Sequence, residues 1–216
     1  MDKGQQVLDA ESFFELAHVS RETMDRLSVY ESLLRKWQGS INLVSKSTLE
    51  DVWRRHFLDS TQLLDLSSDR HLKWADFGSG AGFPGLVLAI LARDRVGFQM
   101  NLVESDQRKS VFLREVIRET GAPAVVHTSR IESPETIAAI GTCDALSARA
   151  CAPLDRLMGW AEPYFGPETE AFFLKGAQAD EELTVARKSW TFRVTSYPSQ
   201  ADPDGCVLKV EQLARV

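Results

Sequence analysis

Residues 76 to 85 read Asp-Phe-Gly-Ser-Gly-Ala-Gly-Phe-Pro-Gly, "DFGSGAGFPG", which places four glycines within eight residues between two apolar runs. A backbone this bare, lying after a strand candidate and opening a helix candidate, lets a ligand approach free N–H groups and the positive end of a helix dipole. Counted from Gly78, the glycines do not match the dinucleotide fingerprint G-x-G-x-x-G, because Phe83 occupies the third position; counted from Gly80, they do. The spacing therefore leaves open a methyl-donor pocket, a dinucleotide pocket and a structural tight turn. A P-loop is excluded, since no Lys-Ser or Lys-Thr follows the last glycine. Pro84 fits a helix start, where a missing N–H costs nothing.

Outward from this loop, short apolar runs alternate with helical stretches from Leu72 onward, the pattern of βαβ units. Strands are predicted at 72–77, 99–104, 124–128, 143–148 and 170–175, with helices at 84–93, 107–119, 153–164 and 178–189. The final runs "TFRVTSY" and "CVLKVEQL" flank the turn-rich "PSQADPDG" and predict an antiparallel hairpin. The sum is an α/β fold with a seven-stranded, doubly wound sheet over residues 72–216. Residues 1–71 are predicted to form an N-terminal helical extension packed with that domain as one globule. There Met24, Leu27, Tyr30, Leu33, Leu34 and Trp37 make one helical stripe ending near Gly39. A second helix is expected from Ser47, read as the cap of the box "Ser47-Thr-Leu-Glu50", with Leu49, Val52, Trp53 and Phe57 on its apolar face.

The chain has 216 residues, is 44% hydrophobic and carries a net charge of −6, which suits one soluble domain and disfavours indiscriminate nucleic-acid coating. The longest apolar run, Leu86 to Ala92, is far short of a bilayer span, and "MDKGQQVLDAESFFE" lacks a signal-peptide core, so no membrane association and a cytoplasmic location are expected. Cys143, Cys151 and Cys206 are odd in number, widely spaced and without ligand partners, so no metal site is expected.

Glu104 ends the second strand two dozen residues past the loop, where a carboxylate can accept from both hydroxyls of a ribose. His56 and Asp59, three apart, share a helix face, either as a surface pair or as a border of the donor pocket. Arg35, Lys36, Lys46, Arg54 and Arg55 outnumber Glu50 and Asp51 between residues 35 and 56, giving a local basic patch that could meet phosphate. Lys175, at the end of the fifth strand, stands at the sheet edge where ligands bind in such folds; it is expected to contact RNA, with capping of a neighbouring carboxylate as the competing role. Trp37 and Trp53 fit helix faces as core residues.

Several segments together resemble the RsmG (GidB) family of small-subunit ribosomal RNA guanine-N7 methyltransferases. They are "LRKWQGSINLVS" (34–45), "RHFLDS" (55–60), "DFGSGAGFPG", "ESDQRKSVFLREV" (104–116), "SRIES" (129–133), "SARACAPL" (147–154) and "FLKG" (173–176). The resemblance implies a class I methyltransferase of Rossmann-like fold, S-adenosylmethionine as cofactor, and 16S ribosomal RNA in the small subunit as partner; a monomer is expected. It also implies a donor pocket lined by Gly78, Gly80, Gly82 and Phe83, then Glu104, Ile131, Glu132 and Arg149. The family's commoner wording "SRAFASL" differs here by Ala148 between Ser147 and Arg149. Guanine N7 is already a lone-pair nucleophile, so no acid or base is assigned; His56, Arg149 and Lys175 are positioning candidates. The alternative is a methyltransferase acting on a small molecule or a protein; a nicotinamide-nucleotide module is a third reading.

Overall fold

The computed structural model describes residues 7–216, so the first six residues of the predicted extension, and of the stretch read as lacking a signal core, lie outside the described residues. Helices α1 (Ala10–Ala17), α2 (Arg21–Gln38) and α3 (Lys46–Glu50) lead into a π-helical segment, Trp53–Leu58, which continues as α4 (Asp59–Leu66). Then follow β1 (Lys73–Phe77), α5 (Gly85–Leu91), β2 (Gln99–Val103), α6 (Gln107–Thr120), β3 (Ala124–His127), α7 (Pro134–Ile140) and β4 (Ala145–Arg149). The chain closes with α8 (Leu154–Ala161), a 3₁₀ turn (Glu162–Tyr164), β5 (Glu170–Lys175), α9 (Ala179–Ala186), β6 (Trp190–Pro198) and β7 (Cys206–Arg215).

The seven strands form one sheet in the order β3-β2-β1-β4-β5-β7-β6. The first five run parallel, and β7 pairs antiparallel with both β5 and β6. The order reverses between β1 and β4, so the C-terminal ends of these two strands open a crevice at the switch point.

Alternation along β1 divides the core. Trp74 packs into a cluster with Tyr30, Leu34, Phe57, Leu86 and Phe112, whereas Ala75 and Phe77 face a second cluster with Leu157, Tyr164 and Trp190. The first cluster joins the extension to the sheet: Phe13, Leu27, Tyr30 and Phe57 are fully buried beside Trp74 and Leu88. Each such side chain stabilises the fold by about 1.5–3 kcal/mol. Trp53 is buried too, its Nε1 donating to Glu31 Oε2 at 3.0 Å, while Trp37 is half-buried against Phe112.

The expected cap at Ser47 is corrected. Ser45 caps α3, its side chain accepting from Thr48 N at 3.2 Å. Gln38 fixes the chain just upstream by accepting from Leu43 N and Val44 N and donating to Val44 O, which sets the turn two residues earlier. The helix stops at Asp51 (φ −114°, ψ 46°), and the wider π-helix carries Trp53, His56 and Phe57 inward instead.

Candidate functional site

The crevice widens into a cleft of about 680 Å³ lined by the glycine loop, the C-terminal ends of β4 and β5, the π-helical segment and the β6–β7 loop. On one side, Gly78, Gly80 and Gly82 all have positive φ (63°, 57° and 95°). A Cβ on Gly80 would meet only Gly78 O, at 3.6 Å, so this position is bare toward the cleft rather than toward the core. Gly82 and Gly85 are bare for packing: a Cβ there would reach Tyr30 Oη at 2.7 Å and Asp76 Oδ2 at 2.7 Å. Ser79 N donates to Val103 O at 3.1 Å, tying the loop to β2. Glu104 Oε2 accepts from Gly80 N (2.8 Å) and Oε1 from Asp106 N (2.7 Å), which holds the carboxylate rigidly beside the loop.

Under the loop, Asp76 is fully buried. Its Oδ1 accepts from Ser147 Oγ at 2.7 Å, while Oδ2 has no hydrogen-bond partner among the described residues. Burial pushes its carboxyl up to about 6, against the hydrogen bonds of Ser147 and Ser79. Ser147 and Arg149 occupy alternate positions of β4, so Ala148 leaves both on the side of the strand that reaches Asp76 and His56.

The facing side is made of side chains. Phe83 lies within stacking distance of both Tyr30 (5.1 Å) and His56 (4.6 Å), and the Arg149 guanidinium stands 5.2 Å from its centroid. Arg149 Nη2 donates to His56 Nδ1 at 2.6 Å and Nη1 to Arg55 O at 3.0 Å. Because arginine only donates, this His56 nitrogen must accept, and the ring proton sits on Nε2, which is buried without a partner among the described residues. Burial drives His56 down to about 2, reinforced by the charges of Arg149 and Arg55, so it is neutral. Asp59 and His56 do not bond each other; both meet Arg149, Asp59 Oδ2 lying 3.9 Å from Nη1. Burial raises the Asp59 carboxyl, while the Ser199 hydrogen bond and the charges of Arg149 and Arg55 oppose the rise.

Of the residues the sequence put forward, Gly78, Gly80, Phe83, Glu104, Arg149, His56, Asp59, Arg55 and Lys175 line the cleft. Ile131 and Glu132 do not: Ile131 is buried in the second core cluster with its carbonyl taken by Tyr164 Oη, and Glu132 is exposed. Lys175 is only 8% exposed at its side chain and bonds Glu182 Oε2 and Ala152 O, both at 2.7 Å, so it fulfils the competing carboxylate-capping role. Glu182 also accepts from Leu154 N, and the pair thereby fixes the loop carrying Cys151 against Gly78. Arg35 pairs with Glu31, Arg54 lies 3.5 Å from Asp51, and Lys36 and Lys46 are exposed; none of these four lines the cleft.

Lys109 and the β6–β7 loop were not singled out from sequence. Ser199 Oγ donates to Asp59 Oδ1 (2.7 Å), and Arg55 bonds Asp202 Oδ2 (2.9 Å) and Ala201 O (3.3 Å). The seven-residue length of that loop, 199–205, longer than a tight hairpin needs, was the available signal. Among the described residues, no cluster of His, Cys, Asp and Glu could hold a metal, and no helix is long and apolar enough to cross a membrane. The open Gly80, the fixed Glu104 carboxylate and the crevice at the switch point together fit a nucleoside-bearing cofactor.

The profile of the family described as "GidB: rRNA small subunit methyltransferase G" matches residues 23–204. A ribosomal RNA small subunit methyltransferase G of Parvibaculum lavamentivorans is 62% identical over 210 residues, covering 97% of this chain and 92% of that one. The protein of the same name from Rhodospirillum centenum is 53% identical, covering 91% and 87%. Among solved structures, a putative O-methyltransferase from Klebsiella pneumoniae superposes with a TM-score of 0.58 at 15% identity, covering 94% of this chain and 96% of that one. A mutant of MtNAS in complex with S-adenosylmethionine gives 0.56 at 16% identity, covering 96% and 85%. Both establish the class I methyltransferase fold.

Proposed function

The chain belongs to the GidB family of rRNA small subunit methyltransferases G, and from that premise we propose that it transfers a methyl group from S-adenosylmethionine to N7 of a guanine in the decoding region of 16S rRNA. It is a methyltransferase of ribosomal RNA. The observation that carries the site assignment is the glycine loop with Gly80 open to the cleft beside a carboxylate that the loop itself holds. Gly78, Gly80, Phe83 and Glu104 would hold the donor, which supplies an electrophilic methyl group when bound. Gly82 serves from behind, by letting Tyr30 and Leu86 close on the loop.

Guanine N7 carries an in-plane lone pair, so no proton has to leave before attack. A neutral His56, locked on Arg149 and against Phe83, suits that chemistry: it positions groups and titrates none of them near neutrality. Arg149 fixes the wall opposite the loop, and the aromatic layer of Tyr30, Phe83 and Phe57 keeps water from behind it. Holding the reacting atoms in place is worth several kcal/mol in such reactions, roughly 7–11 at the extreme.

Lys109 at the cleft and Lys36 and Lys46 on the extension are cations placed to meet RNA phosphates, and Arg35, Arg54 and Arg55 would do so by exchanging their partners Glu31, Asp51 and Asp202. With a net charge of −6, few such contacts form, which supports weak, salt-sensitive binding to free RNA and recognition of the folded small subunit; the enzyme would act there as a monomer in the cytoplasm. The test is transfer of labelled methyl from S-adenosylmethionine to small subunits from a strain lacking this protein, with mapping of the modified base. Label at a guanine N7 in the decoding region is the expected result. Donor binding without transfer to subunits or their RNA would turn the assignment toward a small-molecule or protein acceptor.

A further inference from the structure

We propose that Asp59 is the residue that selects guanine, its Oδ2 accepting hydrogen bonds from N1–H and the 2-amino group of the target base. The inference rests on the function proposed above. N7 by itself cannot choose the base, because adenine and guanine both present N7 as an acceptor on the same edge. The two purines differ at position 6 and on the opposite edge, where guanine offers two donors and adenine presents a bare ring nitrogen. With N7 turned toward the donor loop, the opposite edge turns toward the facing wall, and reading it requires a hydrogen-bond acceptor with spare capacity.

Four carboxylates line the cleft. Glu104 accepts from Gly80 N and Asp106 N, and in the function proposed above its remaining acceptor sites serve the donor's ribose. Glu182 is neutralised by Lys175 at 2.7 Å and Asp202 by Arg55 at 2.9 Å. Asp59 differs. Its Oδ1 is pinned from two directions, by Gln62 Nε2 at 2.9 Å and Ser199 Oγ at 2.7 Å. No donor among the described residues reaches Oδ2 within hydrogen-bond distance, and Arg149 Nη1 stands off at 3.9 Å. One oxygen is thus an anchor and the other keeps its acceptor capacity, on a residue 9% exposed at the cleft wall. It sits one turn beyond His56, whose ring stacks on Phe83 of the donor loop. In such a site a charge-assisted hydrogen bond discriminates strongly, because a base lacking the donors leaves the carboxylate desolvated and unpaired.

The experiment measures kcat/KM on reconstituted small subunits carrying guanine, inosine or adenine at the target position, for the wild type and for Asp59→Asn. Wild type should lose about tenfold or more when inosine removes the 2-amino group, and more with adenine. Asp59→Asn should bind S-adenosylmethionine with unchanged Kd, yet treat guanine and inosine within about twofold of each other. If Asp59→Asn slows both substrates equally and keeps the wild-type ratio, Asp59 is scaffold for Arg149 and the β6–β7 loop, and the proposal is overturned. A wild type indifferent to the 2-amino group overturns it equally. Should Asp59→Asn fail to fold, Ser199→Ala unpins Oδ1 while keeping the carboxylate, and must lower the ratio; an unchanged ratio refutes the assignment. Wild type inactive on guanine subunits would instead sink the underlying functional reading.

Discussion

The two walls of the cleft are built in opposite ways. The donor wall is backbone from one contiguous decapeptide, shaped by residues with no side chain and held by the neighbouring strand. The facing wall is side chains from the π-helical segment, α4, β4 and the β6–β7 loop, up to 147 positions apart, meeting through Arg149, Asp59 and Arg55. A local motif tolerates variation around it but none within it. A network of distant side chains can lose a member and fail only in function.

The sharpest break of the donor wall is Gly80→Val. A side chain at φ 57° costs about 1–2 kcal/mol of strain and projects into the cleft, where only Gly78 O lies near. Calorimetry should find S-adenosylmethionine binding abolished in a protein that still folds; retained affinity would refute the loop's role. Breaking the facing wall with Arg149→Met should do the reverse. It removes the bonds to His56 Nδ1 and Arg55 O, each worth about 1.5–3 kcal/mol, and should cut methyl transfer about 100-fold while changing donor Kd much less. Equal loss of both in a steady-state and binding comparison would erase the distinction between the walls.

A pH series sharpens the contrast with smaller effects. His56 has its pKa lowered from 6.5 to about 2 on folding, so below 6.5 the unfolded chain takes a proton the folded one refuses, and stability falls about 1.4 kcal/mol per pH unit on acidification. Asp76 has the opposite sign. With its pKa raised from 3.8 to about 6, its contribution is complete below 3.8 and is lost as pH rises through 6. The two slopes oppose between about 4 and 6. Urea melts should show Asp76→Asn losing stability steeply on acidification, and His56→Gln gaining it; parallel profiles would show that neither group titrates as assigned. The smallest effect belongs to Asp202→Asn. The Arg55–Asp202 pair is about one-third exposed on both sides, so its loss should shift stability by less than about 1 kcal/mol while raising activity or leaving it level, since Arg55 is freed for phosphate.

Strand positions were legible because apolar runs of period two and their turn signals are local: β5 matches its predicted span, and β1, β2 and β3 differ by one residue at one end. β4 begins two residues later than its apolar run, at Ala145, after Asp144, whose carboxylate accepts from Leu72 N and Lys73 N at the start of β1. Helix α7 was not predicted although Ser133 caps it and Pro134 opens it. Helix α1, capped by Asp9, lies within the region read as helical without having been given bounds of its own. On the loop side of the cleft the backbone was legible, because glycine spacing states it directly. A sequence shows that Ile131 follows β3, not that its side chain turns into the second core cluster. For Lys175 the sequence left an RNA contact and carboxylate capping both open, because no local rule says which carboxylate lies near; the structure supplies Glu182, seven residues away across a loop.

By itself, then, the sequence determined the α/β class, the N-terminal helices, the glycine loop and the family, because each is written in short-range pattern: periodicity, glycine placement and contiguous motif words. Tertiary structure alone decided the strand order, the commitment of Lys175 to Glu182, and the assembly of Arg149, His56, Asp59 and Ser199 into one wall. Those outcomes depend on which distant groups share a buried space, where an unpaired charge or hydrogen-bonding atom costs more than any local preference can return.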